Sequence, residues 1–178
     1  MSGHNKWSQL KHKKAITDSK KSKIFSKLVR FISVEAKLSG GKDSPGLRGA
    51  IEKARKVNMP SDVIERAIKK ASEPGAHMDA VLYEAYGPGG VGLMIETLTD
   101  SKNRTVQDIK HILVKNGFAL GGIGSVAWSF QKEKTPEGIV WKPTTTIPLS
   151  DPDLELLDKL VDELEELDDI QEIYTNAE

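Results

Sequence analysis

Apolar residues recur at three- and four-residue spacing in three segments of the first half of the chain. Gly40-Gly41 follows the first segment, Ser44-Pro45 precedes the second, and Asn58-Met59-Pro60 separates the second from the third. The pattern predicts a three-helix domain over residues 24–73. Its apolar stripes are Ile24, Phe25, Leu28, Val29, Ile32 and Ala36, then Leu47, Ala50, Ile51, Ala54 and Val57, then Val63, Ile64, Ala67, Ile68 and Ala71.

Beyond Pro74-Gly75 the apolar period changes to two, which is typical of strands. The order of predicted elements is β-β-α-β-β-α-β. Apart from the first strand this is βαββαβ, so we expect an α+β protein whose residues 79–178 form a ferredoxin-like antiparallel sheet with helices on one face. The predicted strands are residues 81–86, 91–98, 126–130, 139–149 and 170–175, and the predicted helices contain residues 106–113 and 151–167.

The charge of the chain is divided unevenly, although 26 Lys and Arg balance 26 Asp and Glu overall. Residues 1–70 hold 18 basic and 6 acidic side chains, whereas residues 71–178 hold 8 basic and 20 acidic ones. This asymmetry predicts a basic module that meets a polyanion and an acidic module with another task. The acidic helix at residues 151–169 is either a solvated face or a protein-docking surface, and its charge would repel nucleic acid.

The first 23 residues, here called the basic arm, combine lysines with one tryptophan and two histidines and have few apolar residues. Lysines neutralise phosphates, and Trp7 or the histidines can stack on exposed bases, so the arm favours nucleic-acid contact. The alternative is a solvated tail with Trp7 packed on the domain. The candidate contact residues in and beside the arm are His4, Lys6, Trp7, Lys11, His12, Lys13, Lys14, Lys20, Lys21, Lys23 and Lys27.

A further candidate is Arg104, which lies where a helix is predicted to begin. Arginine beside a helix N-terminus is a plausible phosphate contact, whereas Asn103 is equally well explained as the N-cap of that helix. Gly87-Pro88-Gly89-Gly90 lacks the Lys-Ser/Thr of a phosphate loop and is predicted to be a turn.

The composition argues against several classes of protein. The chain has no cysteine, no pattern of metal ligands and no spaced catalytic set, so we expect no metal, no cofactor, no small-molecule substrate and no enzymatic turnover. No stretch approaches the roughly 18 apolar residues of a membrane helix, and the charged N-terminus lacks the apolar region of a secretory signal. We therefore expect a cytoplasmic protein without a membrane partner.

Several dispersed motifs, in order, resemble the YebC/PmpR family, which includes the mitochondrial translational activator of cytochrome oxidase. The resemblance covers most of the chain. It implies a regulator that binds nucleic acid, either as a DNA-binding transcriptional regulator or as a translation factor at the ribosome. It is carried by Gly3-His4-Asn5-Lys6-Trp7, Lys11-His12-Lys13-Lys14-Ala15, Asn58-Met59-Pro60, Ile64-Glu65-Arg66-Ala67-Ile68, Tyr83 to Val91, Leu98-Thr99-Asp100, Asn103-Arg104-Thr105 and Gly124-Ser125-Val126.

This chain departs from that family in length. Family members run to about 240 residues and hold a third domain inserted in the ferredoxin-like one. Here Phe130 to Lys134 is followed almost directly by Ile139-Val140-Trp141, so the insertion is absent and residues 135–138 are predicted to be a hairpin turn. Ser101 and Phe118 are smaller departures from the family pattern.

Three hypotheses from different classes follow. The first is a non-enzymatic nucleic-acid-binding regulator that contacts ribosomal RNA or DNA, with RNA at the ribosome slightly favoured because the arm suits unstacked bases. The second is a protein-interaction module that recruits a partner through its acidic domain. The third, a metal-dependent nuclease, lacks an identifiable metal site or general base in the sequence.

Overall fold

The computed structural model describes residues 18–73, 75, 77–135 and 138–178, with side chains from residue 21 onward. Three helices come first: α1 (Asp18–Leu38), α2 (Pro45–Lys56) and α3 (Ser61–Ala71). Ser44 caps α2, because its hydroxyl accepts a hydrogen bond from the backbone N–H of Leu47 at 3.1 Å. Most residues of the predicted stripes meet in one core, although Ile24 and Val57 are not part of it and Met59, which belongs to no stripe, is. The fully or nearly buried members are Ile32, Ala36, Leu47, Ala50, Ala54, Met59, Ile64, Ala67 and Ala71.

The second half contains a four-stranded antiparallel sheet made of β1 (Asp79–Tyr86), β2 (Gly92–Thr99), β3 (Ala119–Leu120) and β6 (Ile170–Thr175). Its strands lie in the order β3-β1-β2-β6. The glycine-rich segment between β1 and β2 is a turn, as predicted, and Gly89 and Gly90 adopt positive φ there. The turn makes β1 and β2 a hairpin with Asp79 opposite Thr99 and Tyr86 opposite Gly92.

Two helices, α4 (Lys102–Lys115) and α5 (Asp151–Glu165), cover one face of this sheet. Their buried side chains Ile109, Leu113, Leu157, Leu160 and Leu164 pack on Ala85, Leu93, Ile95, Ile170 and Ile173 of the strands. The predicted α+β class, with an antiparallel sheet that carries helices on one face, is confirmed. Among the described helices, no stretch combines the length and apolar character that a membrane crossing requires.

The membership of the sheet differs from the prediction. The first strand, which the βαββαβ reading set aside, lies in the middle of the sheet, and the short β3 was not predicted. Residues 126–130 and 139–149 were predicted to be strands of the main sheet. Instead, β4 (Phe130–Thr135) and β5 (Gly138–Pro143) form a separate two-stranded sheet, with Thr135 opposite Gly138.

A buried carboxylate explains why the segment before β4 is not a strand. Glu84, which is 5% exposed, accepts hydrogen bonds from the backbone N–H groups of Gly124, Val126 and Ala127 at 2.7, 2.6 and 2.8 Å. These donors are therefore unavailable to a strand ladder, and residues 127–129 form a 3₁₀ turn.

The β4–β5 hairpin covers part of the second face of the main sheet. Met94, Val126 and Phe130 form a small core there, and Trp141 and Tyr174 pack against it. The rest of this face is directed toward the three helices of the first half, and a groove lies between the two halves of the chain.

Candidate nucleic-acid interface

Most predicted contact residues of the basic arm lie outside the described residues, and their contacts stay predictions. These are His4, Lys6, Trp7, Lys11, His12, Lys13 and Lys14. The described chain begins within α1 at Asp18, which places Lys20, Lys21, Lys23 and Lys27 on a helix that continues into the helical domain. The arm as predicted, residues 1–23, therefore shares its last six residues with α1.

Two basic residues of α1 contact the end of the acidic helix rather than open solvent. The ammonium of Lys23 forms an ion pair with Glu166, just after α5. About two turns further along α1, the guanidinium of Arg30 lies 2.8 Å from Asp169 and 3.4 Å from the carbonyl oxygen of Leu98. Charge complementarity thus joins the basic half to the acidic half.

Asp169 is the centre of this junction, with only 7% of its side chain exposed. Its carboxylate accepts hydrogen bonds from the hydroxyls of Thr99 and Thr105 at 3.2 and 2.5 Å. It also lies 3.0 Å from the guanidinium of Arg104. A carboxylate shielded from water needs such partners, and Asp169 has two cations and two hydroxyls.

Arg104, the predicted phosphate contact, is held between two carboxylates. Its Nη2 is 2.7 Å from Asp100 as well as 3.0 Å from Asp169. Hydrogen bonds to Asp169 and Asp100 raise the pKa of Arg104, and the hydrogen bond from Arg104 lowers the pKa of Asp100. The guanidinium therefore has a structural role here, while half of it stays exposed and its contact with phosphate stays a prediction. The helix N-cap is Ser101, not Asn103, and its hydroxyl accepts from the N–H of Arg104.

Lys27 lies at a different place, in the groove between the two domains. This interdomain groove has a volume of about 920 Å³ and is lined by α1 and α2 on one side and by β1, β2, β6 and the β4–β5 hairpin on the other. Sequence reasoning placed Lys27 at a contact surface but missed the residues that share the groove with it. These are Phe31, Lys53, Lys56, Glu96, Lys132, Trp141, Glu172 and Tyr174.

Lysine and aromatic side chains are paired in this groove. The ammonium of Lys53 lies 5.2 Å from the ring centre of Phe31, and that of Lys132 lies 4.9 Å from the ring centre of Trp141. Both distances fall in the range of cation–π contacts, and they come from opposite walls. The alternation of side chains along two paired strands could have predicted that Lys132 and Trp141 share one face of the hairpin. It could not have predicted that this face lies opposite α2.

Glu96 lies at the floor of the groove and orients two of its aromatic residues. Its carboxylate accepts hydrogen bonds from the indole N–H of Trp141 at 2.9 Å and from the hydroxyl of Tyr174 at 3.5 Å. Burial raises the pKa of Glu96, the hydrogen bond from Trp141 lowers it and the neighbouring Glu172 raises it, with a net increase. Glu172 is its partner in the antiparallel register.

A second exposed surface lies at residues 123–128, the segment whose backbone N–H groups donate to Glu84. Ile123 and Trp128 are among the most exposed large side chains of the described chain, and the hydroxyl of Tyr86 and the indole N–H of Trp128 both donate to the carbonyl oxygen of Ser125. Burial raises the pKa of Glu84, but its three backbone hydrogen bonds lower it, and the net shift is downward. The carboxylate is therefore charged and ties this segment to β1.

Within the described part of the chain, no three His, Asp or Glu side chains are grouped as a metal ion would require. The side chains that are brought together there are lysines, arginines, aromatic rings and the carboxylates that pair with them. This chemistry suits the binding of a charged, partly aromatic ligand and supplies no evident nucleophile or paired acid and base.

The described residues form two hydrophobic cores, one in the basic helical part of the chain and one in the acidic α+β part. The sequence profile of the TACO1/YebC protein N-terminal domain matches residues 5–74. The profile of the TACO1/YebC second and third domain matches residues 78–135 and 132–177. The chain belongs to the TACO1/YebC family, as the sequence motifs indicated.

Relatives agree with this assignment. A probable transcriptional regulatory protein of Fervidobacterium nodosum is 39% identical over 235 aligned positions, which span 99% of this chain and 93% of that protein. One from Pelodictyon phaeoclathratiforme is 51% identical over 139 residues, or 76% of this chain and 56% of that protein. The crystal structure of a conserved hypothetical protein from Aquifex aeolicus matches with a TM-score of 0.86 and 33% identity, covering 97% of this chain and 96% of the other.

The comparisons also bear on the shortness of the chain. The alignment with the Fervidobacterium protein runs over 235 positions, whereas this chain has 178 residues, so that protein holds several tens of residues without a counterpart here. The two pieces matched by the second-and-third-domain profile meet at residues 132–135, the end of β4. At that point this chain passes from Thr135 to Gly138, which are paired across the hairpin.

Proposed function

We propose that this protein is a non-enzymatic regulator of gene expression that binds nucleic acid through its basic arm and helical domain. The observation that carries the proposal is the division of charge, with 18 basic and 6 acidic side chains in residues 1–70. A domain with this balance attracts phosphates, and the release of their counterions drives binding. The proposal places the protein in the cytoplasm, where translating ribosomes are found.

The target is RNA, with ribosomal RNA and the ribosome as the favoured partners and duplex DNA as the second candidate. In the arm, Trp7, His4 and His12 are interleaved with lysines, which suits unstacked bases. The helical domain presents no evident groove-reading helix: the described α1 uses Ile32 and Ala36 for the core and Arg30 for the junction with Asp169. The relatives are named probable transcriptional regulatory proteins, which keeps duplex DNA as the second candidate.

The acidic domain orients the molecule in this proposal. Among the ten carboxylates of residues 151–169, Asp151, Glu155, Asp162 and Asp168 are exposed, whereas Glu166 and Asp169 pair with Lys23 and Arg30 of the helical domain. Repulsion between the exposed carboxylates and phosphates turns the basic half toward the polyanion.

Binding should be measured by fluorescence anisotropy with single-stranded RNA and with duplex DNA, each at several salt concentrations. We expect the affinity for RNA to fall by on the order of 10³ between 50 and 200 mM salt. Nucleic acid that copurifies should be sensitive to RNase more than to DNase. Absence of salt-dependent binding to either polymer would overturn the proposed function, and tighter binding to duplex DNA would assign the target to DNA.

A further inference from the structure

The interdomain groove has the dimensions of a ligand site. Its volume of about 920 Å³ lies within the 300–1,000 Å³ of typical binding pockets, and its walls come from both domains. A duplex cannot enter a cleft of this size, whereas a few unstacked nucleotides can.

Its cationic side chains are distributed along both walls. Lys27, Lys53 and Lys56 come from α1 and α2, and Lys132 comes from the hairpin opposite them. Four ammonium groups around one cleft attract a polyanion, and their placement on two facing walls suits a strand that runs between the walls.

The lining between the lysines is aromatic. Phe31, Trp141 and Tyr174 all line the groove and all keep part of their surface exposed. Base-on-ring stacking is tolerant of sequence and is the usual way in which proteins hold unpaired bases. Lys53 lies over Phe31 and Lys132 over Trp141, so each lysine moves aside, toward a phosphate, when a base stacks on that face of the ring.

The floor holds acceptors rather than further cations. Glu96 and Glu172 are register partners on neighbouring strands and both line the groove. Carboxylates at the floor repel phosphates, but they accept hydrogen bonds from the base edges, whether from the N3–H of uracil or from the amino groups of adenine, guanine and cytosine. The arrangement therefore favours a strand with its bases inward and its phosphates at the lysine-lined rim.

We propose that the interdomain groove binds a short single-stranded segment of RNA, with bases stacked on Trp141 and its aromatic neighbours and phosphates at Lys27, Lys53, Lys56 and Lys132. This inference rests on the proposed function for the kind of ligand, but it assigns a second site apart from the basic arm. An apolar peptide, the other occupant that such a cleft could hold, has no negative charge to complement the four ammonium groups.

The test uses tryptophan fluorescence in the full chain. The chain has three tryptophans, so the double variant Trp7→Phe/Trp128→Phe leaves Trp141 as the reporter of the groove. A matched control, Trp7→Phe/Trp141→Phe, leaves the exposed Trp128, which does not line the groove. Short unstructured oligouridylate should quench Trp141 over the concentration range in which anisotropy reports binding, and should leave Trp128 unchanged.

Charge reversal provides a second measurement that does not depend on the tryptophans. Lys56→Glu/Lys132→Glu should weaken oligouridylate binding at least tenfold more than Lys110→Glu/Lys159→Glu, a control of equal charge change on exposed residues of α4 and α5. Oligodeoxythymidylate is titrated in parallel, and we expect weaker quenching of Trp141 by it. Quenching equal to that by RNA would overturn the assignment to RNA.

If RNA binds without any change in Trp141 fluorescence, and the two double charge reversals have equal effects, the groove is not the RNA site. That result would leave the proposed function intact. Absence of binding by anisotropy at low salt would overturn both. If an apolar peptide quenches Trp141 and RNA does not, the ligand of the groove is a peptide and the assignment to RNA is wrong.

Discussion

Arg30 of the helical domain and Asp169 of the α+β domain form an ion pair of 2.8 Å, with most of both side chains shielded from solvent. The pair joins the most basic part of the chain to its most acidic part. It also fixes α1 against the end of β2, where Arg30 reaches the carbonyl oxygen of Leu98. The two walls of the interdomain groove are held together at this point.

Removing the charge of Asp169 should loosen this junction. Asp169→Asn leaves Arg30 and Arg104 facing a neutral amide and should lower the free energy of unfolding by about 2–4 kcal/mol, below the full cost of a deeply buried pair because Arg104 is half exposed. Limited proteolysis should then cut faster at residues 72–78. Asp168→Asn, a change at the exposed neighbour, should shift stability by less than about 0.5 kcal/mol, and equal effects of the two variants would contradict the role of the junction.

Replacing Glu84 should remove the ionised anchor of residues 124–127. Glu84→Gln leaves backbone N–H donors facing an amide, so we expect a loss of about 1–3 kcal/mol at neutral pH. Because folding lowers the pKa of Glu84, its contribution is present above the ordinary glutamate pKa and is lost as the pH falls through the lower, folded value.

Denaturant unfolding from pH 7 down to pH 3 tests this expectation. The stability difference between wild type and Glu84→Gln should shrink as the pH falls below about 4.3, the ordinary pKa of glutamate. Glu155→Gln, at an exposed position of α5, is the control. A difference that stayed constant across this range would show that the charge of Glu84 is not what holds the segment.

The ionisation of Glu96 should affect the free energy of unfolding in the opposite direction to that of Glu84. Its pKa is raised in the folded protein, so its ionisation disfavours the folded state as the pH rises from the ordinary glutamate pKa through the raised value. Glu96→Gln retains an oxygen that can accept from Trp141, and it removes repulsion with Glu172. We expect the variant to gain stability relative to wild type as the pH rises through that window, when both are unfolded by denaturant at each pH. A gain that is largest at low pH would contradict this assignment.

Substitution of Trp7 distinguishes the contribution of base stacking to RNA binding from that of the charged lysines in the basic arm. If Trp7 stacks on a base, Trp7→Ala should weaken binding of single-stranded RNA by roughly 1–3 kcal/mol and leave the salt slope nearly intact. Lys13→Ala and Lys14→Ala should instead lower the slope by about one unit each. A Trp7→Ala protein that melts early and binds RNA normally would show that Trp7 is a packing residue.

The sequence was most informative where apolar period decides structure. Ile32, Ala50 and Ile64 could be assigned to one helical core from spacing alone, because a helix buries the residues of one face. The β1–β2 hairpin followed from its glycine-rich turn. The position of β1 in the middle of the sheet could not be predicted, because the alternation of apolar and polar residues shows that a strand exists but not which strand lies beside it.

The candidate site was less predictable for a related reason. Glu84 meets the backbone of residues 124–127 across some forty residues, and Asp169 meets Arg30 across more than a hundred. Carboxylates in such contacts look like ordinary surface charge in a sequence. Arg104 was singled out as a phosphate contact, which stays a prediction, and its partner Asp169 could not be identified without the fold. Likewise, nothing in the chain order places Lys53 opposite Trp141.

The most direct test of the account is the salt dependence of single-stranded RNA binding with and without residues 1–17. This deletion leaves α1 and the ion pair of Lys23 with Glu166 in place, and it removes four lysines together with Trp7. Anisotropy titrations of both proteins between 50 and 200 mM salt should show that the deletion lowers the slope of log affinity against log salt by about 3 to 4 units. An unchanged slope and affinity would contradict the central claim that the basic arm binds nucleic acid.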